Sequence, residues 1–453
     1  LEAPPYPYVL KFAILSDVQD VASEVRSMAG GSGEALAEDA EVVIVGAGIA
    51  GLATALALRR VGVGGVLVLE RHAELRATGA ALTVYPNGWI ALRALGVAHK
   101  LTSRYQGCGT FRVTNLENGE TKVFHFAGRE GSSPEIKVRP ADRKAMLQAL
   151  AEELPPGTIR FSSKLVSINT ETTESSSETA ILQLDDGTVV RAKVLIGCDG
   201  VHSVVARWLG LSEPVTSGRS AVRGLAVYSD GHGLKKEVRQ FLSVGLRAAM
   251  VPINDKEVHW FLVNSTIAAE KEARTDPAKI MREVTDNLGR HMPPEYLDVV
   301  RHTGHDTLSW MPLLYRSPWD VLTGPAARGP VTVAGDAFHP MTPDLAQGGG
   351  SALEDAVVLA RAVSRAATPA EGVAAYVSER RRRVALLVAG AYLSGWVQQG
   401  GTNVQGLRGC MVKLFRDLIF YRFIFRRLAG MMWYDCGDLV LPPSKQKRKN
   451  HSE

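Results

Sequence analysis

Glu41-Val-Val-Ile-Val45-Gly46-Ala47-Gly48-Ile49-Ala50-Gly51-Leu52-Ala-Thr-Ala-Leu-Ala-Leu-Arg-Arg60 is the stretch that decides the fold. Val42 to Val45 has the β-branched composition of a buried parallel strand. Three glycines in a GxGxxG pattern follow at once, and an Ala/Leu-rich helical run follows them. A second β-run, Val66-Leu-Val-Leu69, ends in Glu70, at about the twenty-residue distance expected of a ribose-binding acid. Each part has a mechanical reason. Gly46 permits a tight turn, Gly48 lets a pyrophosphate approach the backbone, and Gly51 lets the helix pack on the strand. The helix N-terminus offers free N–H groups and a positive dipole end. A glycine-rich turn that binds nothing is the bland alternative, and the strand, helix and acid together argue against it. The motif specifies a dinucleotide and leaves NAD and FAD both open.

Two further stretches repeat the theme. Val194-Leu-Ile-Gly-Cys198-Asp199-Gly200-Val-His-Ser203 reads as a buried strand ending in Asp-Gly. Val331-Thr-Val-Ala-Gly335-Asp336 reads as another, ending in Gly-Asp. The chain continues Ala337-Phe-His339-Pro-Met-Thr-Pro343-Asp344-Leu-Ala346-Gln-Gly348-Gly349-Gly350-Ser-Ala-Leu-Glu354-Asp355, a glycine-rich loop opening a helix. An acid at a strand's carboxyl end, beside a phosphate cradle, suits ribose or ribityl hydroxyls.

In this order and separation the three motifs resemble the class A flavoprotein monooxygenases of the para-hydroxybenzoate hydroxylase fold, and more narrowly the zeaxanthin-epoxidase-like plant monooxygenases. The resemblance covers roughly residues 40–440. It implies an α/β protein with a discontinuous Rossmann-like FAD domain, a mostly antiparallel β substrate domain and a C-terminal helical region. It implies FAD contacts at Gly46, Gly48, Gly51, Glu70, Arg71, Asp199, Gly200, Gly335 and Asp336. The loop from Pro343 through Gly348, Gly349 and Gly350 is then expected along the isoalloxazine. Arg143, in Arg143-Lys-Ala-Met-Leu-Gln-Ala-Leu150, matches a family helix start near the FAD, with a solvated helix residue as its alternative. There are departures. The family's arginine seven residues after the Asp of the Asp-Gly motif is Ala206 here, with Arg207 one later. The loop reads Asp344-Leu-Ala346, where Asn and a first Gly are usual.

The activity implied is insertion of one oxygen of O2 into a small apolar or aromatic substrate, with NAD(P)H as co-substrate and through a flavin C4a-hydroperoxide. The flavin does the chemistry, so no catalytic side chain is assigned and no metal is expected. An FAD-dependent reductase of the geranylgeranyl type and a non-catalytic flavin-binding protein are the competing readings. Trp260, Phe241 and Met250 are candidates for the substrate pocket, with core packing as the plainer role at strand spacing. His339 is expected to cap its loop and Cys198 to be inert core. Arg380-Arg-Arg-Arg383 is expected on a solvated helix face with local ion pairs.

The expected organisation is a flexible N-terminal segment 1–39, FAD-domain parts 40–105, 135–215 and 305–370, substrate-domain parts 106–134 and 216–304, C-terminal helices 371–441 and a basic tail 442–453. Short β-rich runs at Arg239–Ser243, Leu246–Val251 and Glu257–Val263 support the substrate sheet. Residues 169–179, rich in Thr, Ser and Glu, read as a solvated hairpin loop. Val384 to Val397 reads as a buried helix.

Composition is consistent with a folded enzyme. The chain has 453 residues, 45% hydrophobic and 22% charged, and 44 glycines. Net charge is +5, too small to argue for nucleic acid. From Gln405 to Glu453 there are ten Lys+Arg against four Asp+Glu, so the surplus sits at the end of the chain. Residues 410–428 mix aromatics, aliphatics and cations. They are expected either on an anionic membrane surface or, more simply, as a helix packed across the domains. Four scattered cysteines argue for a reducing compartment, cytoplasmic first and plastid second. The acidic first forty residues lack the character of a transit peptide.

Overall fold

The computed structural model describes residues 38–76, 81–126, 136–172, 178–266, 274–399, 411, 414–415, 419 and 423–439. The first strand, Glu38–Val45, and its neighbour Val189–Gly197 run parallel at the centre of an eight-stranded sheet. Val66–Leu69 and Ile159–Arg160 extend the sheet in parallel on one side, and Val331–Val333 on the other. Central strands of this kind are covered on both faces, and Val42, Val43, Ile44, Leu195 and Ile196 are accordingly buried. The helix Ile49–Arg60 is buried from Ile49 through Leu58. Its alanines let the strand backbone on one side and the helix Gly348–Arg365 on the other approach closely, so it needs no polar face.

The second sheet has seven strands in the order Ser309–Tyr315, Val215–Val227, Glu257–Ser265, Leu246–Pro252, Val238–Ser243, Thr110–Asn115 and Thr121–His125. All its pairings are antiparallel except that of Val238–Ser243 with Thr110–Asn115. The expected α/β architecture with a mostly antiparallel second sheet is therefore present. Strand Ser309–Tyr315 lies beyond residue 304, where the sequence reading ended the second substrate part. Helices Pro277–Arg282 and Pro294–Arg301 cover one face of this sheet. The core between them contains Trp260, Trp310, Phe241, Met250 and Tyr296.

The Thr/Ser/Glu stretch expected as a loop is mostly strand. Leu165–Thr172 and Glu178–Leu184 pair as a hairpin up to Thr172 and Glu178, and only its tip, 173–177, lies outside the described residues. Polar β-branched residues suffice for an edge hairpin with one wet face. The expected buried helix is part of one long helix, Pro369–Gln398. Its start is fixed by Pro369 in the first turn and by a reciprocal cap. Glu371 N donates to Thr368 Oγ1, and Thr368 N donates to Glu371 Oε2, both at 3.3 Å.

The first 37 residues, the tail from residue 440 and Cys410 lie outside the described residues, as does much of 410–428. In that last segment Phe415, Ile424 and Leu428 pack beside Leu345 and Ala391, while Met411, Leu414, Ile419 and Phe423 are exposed. No described helix is long and apolar enough to cross a membrane.

Candidate functional site

One cavity of about 540 Å3 runs from the glycine turn of the first sheet to the open face of the second. Its first wall is built by the turn after Val45. Gly46 has φ +103°, and a Cβ there would lie 2.5 Å from the Cys198 carbonyl oxygen, so only glycine fits. A Cβ at Gly51 would overlap the Gly46 carbonyl oxygen, whereas one at Gly48 would meet nothing within 4 Å. Gly51 therefore serves packing, and Gly48 leaves an open approach at the end of the helix Ile49–Arg60, which no side chain caps. Glu70 accepts Ala47 N–H on Oε2 and His72 N–H on Oε1, each at 2.9 Å. Arg71 is exposed at the rim, with its Nε 3.2 Å from His72 Nε2.

The Asp-Gly turn comes next. Asp199 Oδ2 accepts Val204 N–H at 2.7 Å, while Oδ1 is buried with no partner among the described residues. Burial, opposed by Ser203 and nearby N–H groups, raises its carboxyl pKa. Gly200 has φ +84° and open space beside it. Asp336 projects into the cavity from the turn Gly335–Ala337, opposite Arg143. Arg143 starts the helix Arg143–Ala151, which Asp142 caps through Ala145 N–H at 2.7 Å. It is not a solvated helix residue. Its Nε is buried without an acceptor, and desolvation lowers its pKa against the pull of Asp336.

Pro343, Ala346, Gly348 and Gly349 complete this side. Of the fourteen sequence-predicted residues, Gly46, Gly48, Glu70, Arg71, Arg143, Asp199, Gly200, Asp336, Pro343, Gly348 and Gly349 line the cavity. Gly51, Gly335 and Gly350 do not. A Cβ at Gly335 would lie 2.8 Å from that of Ala50, and one at Gly350 would lie 3.0 Å from Asn87 Nδ2, so both serve close packing. Ala206 is buried in the helix Val204–Leu209, and Arg207 points outward to Glu213 at 2.9 Å.

The far wall holds none of the three pocket candidates, which take the plainer core role. Trp260, Phe241 and Met250 are buried in the core on the opposite face of the second sheet, with Trp260 Nε1 donating to Thr303 at 2.6 Å. Strand alternation turns the other set to the cavity: Ala221 and Arg223, Arg247 and Val251, then His259, Phe261 and Val263. Leu313 and Met341 join them. Arg223 donates through Nε to Ser309 at 3.2 Å and has no carboxylate partner among the described residues. Burial lowers its pKa, Arg143 adds to that and the Asp336 carboxylate opposes it. His259 is pushed down to about 4 by burial, with Arg223 adding and the Gly224 carbonyl opposing. Its Nδ1 lies 3.1 Å from that carbonyl, which accepts only, so Nδ1 carries the proton and Nε2 the lone pair.

Beneath the loop lies a correction. Arg380 and Arg383 are not on a solvated face. Arg380 is fully buried, with Nε on Asp355 Oδ1 at 2.7 Å and Nη1 2.6 Å from Glu354 Oε2. Arg383 grips Glu354 at 2.7 and 2.6 Å. Of the run, Arg382 alone is exposed. Asp355 also takes His339 Nε2 at 2.6 Å and Gly335 N–H at 2.9 Å, so His339 is structural, as expected. Burial alone would raise the Asp355 pKa. His339, Arg380 and the Gly335 N–H outweigh it and bring the value to about 2. Asn87 donates to Glu354 at 2.6 Å and Gln347 at 2.8 Å, carrying the network up to the loop. A signal for these residues was in the sequence. Arg380 and Arg383 are in helical phase with buried Tyr376, Val377, Val384 and Leu387.

A glycine turn at a helix N-terminus, two strand-end acids and a second sheet closing over one cavity define a flavin-dependent oxidoreductase. The donor set fits FAD. Gly48 leaves the backbone open to a pyrophosphate, and the unpartnered Asp199 Oδ1 and projecting Asp336 suit ribityl or ribose hydroxyls. The FAD binding domain family matches residues 39–391, and the chain belongs to that family, among the class A FAD-dependent monooxygenases. It is 38% identical to "Monooxygenase 2" of Arabidopsis thaliana over 418 residues, which cover 88% of this chain and 98% of that protein. It is 29% identical to the FAD-dependent urate hydroxylase of Mycolicibacterium vanbaalenii, covering 77% of this chain and 86% of that protein. The Klebsiella pneumoniae HpxO complexed with FAD and uric acid superposes with a TM-score of 0.74 at 22% identity, covering 88% of this chain and 98% of that one.

Proposed function

We propose that this monooxygenase uses NAD(P)H and O2 to place one oxygen on a small aromatic substrate that carries a negative charge. The observation that carries this is the far wall. Arg223, half-buried and in no ion pair with a carboxylate among the described residues, sits among Ala221, Phe261, Val263 and Leu313. A cation drawn partly out of water with no ion-pair partner favours a ligand that supplies the counter-charge, and the apolar remainder suits a flat ring. Urate, named for two of the similar proteins, is a flat acid of this description.

In this reading the first sheet with its helices is the FAD domain and the second sheet the substrate domain. Gly46, Gly48 and the Ile49–Arg60 N-terminus hold the pyrophosphate, and Glu70 the adenosine ribose. Arg143, Asp199, Asp336 and the loop from Pro343 to Gly349 hold the flavin end. FAD, when bound, supplies the electron transfer from NAD(P)H and the activation of O2. The chain's own residues do the rest. Arg223 orients the substrate's charge. His259, neutral near pH 7, accepts a hydroxyl hydrogen at Nε2 and so steadies a phenol or enol. Val263, Phe261 and Leu313 exclude water from the ring.

The test is the visible spectrum of the purified protein, followed by NAD(P)H oxidation and 18O incorporation across aromatic acids and their neutral amides. Flavin absorbance, with turnover confined to the acids, is expected. A protein that cannot be reconstituted with FAD refutes the site, and equal turnover of the amides refutes the charge preference.

A further inference from the structure

Asp344 lies in the turn Pro343–Leu345, and its side chain is completely buried. Arg219 grips it at 3.1 and 2.7 Å, and Arg247 Nη1 reaches it at 2.7 Å. Arg219 also donates to Gln399 at 3.3 Å and does not line the cavity. Arg247 does. It is 8% exposed, its Nε has no acceptor, and its guanidinium lies 5.4 Å from the centre of the Phe261 ring. The long helix makes room for the triad. A Cβ at Gly395 would overlap both Arg219 Nη1 and Asp344 Oδ2. Two cations therefore share one carboxylate at the edge of the substrate wall.

We propose that Asp344 sets the charge preference of the cavity. By cancelling one of the two guanidinium charges beside it, Asp344 limits the wall to Arg223 and the single positive unit left on the triad, so removal of its charge shifts the site toward doubly charged acids. The proposal rests on the reading of the far wall as an acid-binding substrate site. Removing the Asp344 charge adds one positive unit to the wall. That unit acts once on a monoanion and twice on a dianion, so the ratio of their affinities must move.

The experiment is calorimetric titration of the FAD-loaded enzyme with benzoate and phthalate at pH 8. Asp344→Asn is expected to raise the phthalate-to-benzoate affinity ratio at least about tenfold. Arg219→Gln, which removes a cation from the same triad on the side away from the cavity, is expected to lower it. Asp344→Glu, which keeps the charge, is expected to leave it in place. A purely structural role lowers the unfolding midpoint in each variant without moving the ratio. An unchanged ratio in Asp344→Asn overturns the proposal, and if that variant does not fold, an unchanged ratio in Arg219→Gln does so. Failure of wild type and variants alike to bind either acid overturns the acid-site reading as well.

Discussion

Gly48 and Gly51 stand three residues apart in one motif, yet the structure assigns them different work, and substitution by alanine separates the two. At Gly48 the backbone is extended, with φ −78° and ψ −173°, and an added Cβ meets nothing within 4 Å. Alanine there stiffens the unfolded chain, which favours folding by about 0.4–1 kcal/mol, and weakens the N-cap by roughly 0.5–1 kcal/mol. The flavin-free protein should thus be unchanged in stability to within about 1 kcal/mol. On the proposed placement of FAD, the same methyl stands in the path of the pyrophosphate. Breaking one charge-assisted hydrogen bond costs about 1.5–3 kcal/mol, which raises the FAD Kd roughly ten- to 150-fold. At Gly51 the order reverses. The Cβ would overlap the Gly46 carbonyl oxygen, with the carbonyl carbon at 3.1 Å and Ile44 Cγ2 at 3.3 Å. Helix and strand must separate, at about 1–3 kcal/mol in the flavin-free protein, before any ligand is considered. Thermal unfolding of stripped protein and fluorescence titration with FAD measure the two effects independently. A Gly48→Ala variant with wild-type FAD affinity would show that no phosphate passes over that residue, and the placement of the cofactor would fall with it.

Three further outcomes are expected. Arg380→Met leaves Glu354 and Asp355 buried and short of a cation, at about 3–5 kcal/mol, whereas Arg382→Ala on the exposed side stays within about 0.5 kcal/mol; urea denaturation compares them, and similar losses would contradict the buried network. Ala346 is held at φ +51°, so Ala346→Gly should relieve about 1–2 kcal/mol of left-handed strain, offset in part by unfolded-chain entropy, and raise the unfolding midpoint; a lower midpoint would refute the strain. His259, depressed to about 4, binds its proton later in the native than in the unfolded state. Its contribution is therefore complete above about pH 6.5 and is lost as pH falls toward 4, by on the order of 3 kcal/mol at most and less with cavity water present. Unfolding free energies at pH 7 and 4.5 should converge in His259→Gln relative to wild type, and an identical pH dependence would rule the shift out.

Much of the flavin side was legible in the sequence because it is local. A strand, a glycine turn and a helix are contiguous, and Gly46, Gly48 and Gly51 mark, in turn, a left-handed turn, an open backbone and a close helix-to-strand contact. The three motifs end three parallel strands at one edge of one sheet, so reading each locally was enough to bring Glu70, Asp199 and Asp336 to one cavity. The buried network was not legible in the same way. Arg380 and Arg383 form part of an exposed-looking run, and their partners Glu354 and Asp355 lie on another helix. Charge in sequence reports nothing of burial until the partner is known.

The far wall failed for a different reason. In a sheet with one wet face, alternation of apolar and polar residues names the inner side. Here both faces are enclosed, one by helices and one by the cavity, so Glu257-Val-His-Trp-Phe-Leu-Val263 is bulky at every position and its phase is silent. Size then misleads, because the largest side chains go where space must be filled, and Trp260 packs against Tyr296 and Thr303. The face that lines the cavity takes what the core will not accept. Arg223, Arg247 and His259 are ionisable residues in the middle of strands, a costly placement in a packed core. They fall in one register, Arg223 opposite Phe261 and Arg247 opposite Val263. Read as the marker of the open side, that ionisable register identifies the cavity-facing wall, where aromatic content points to the packed one.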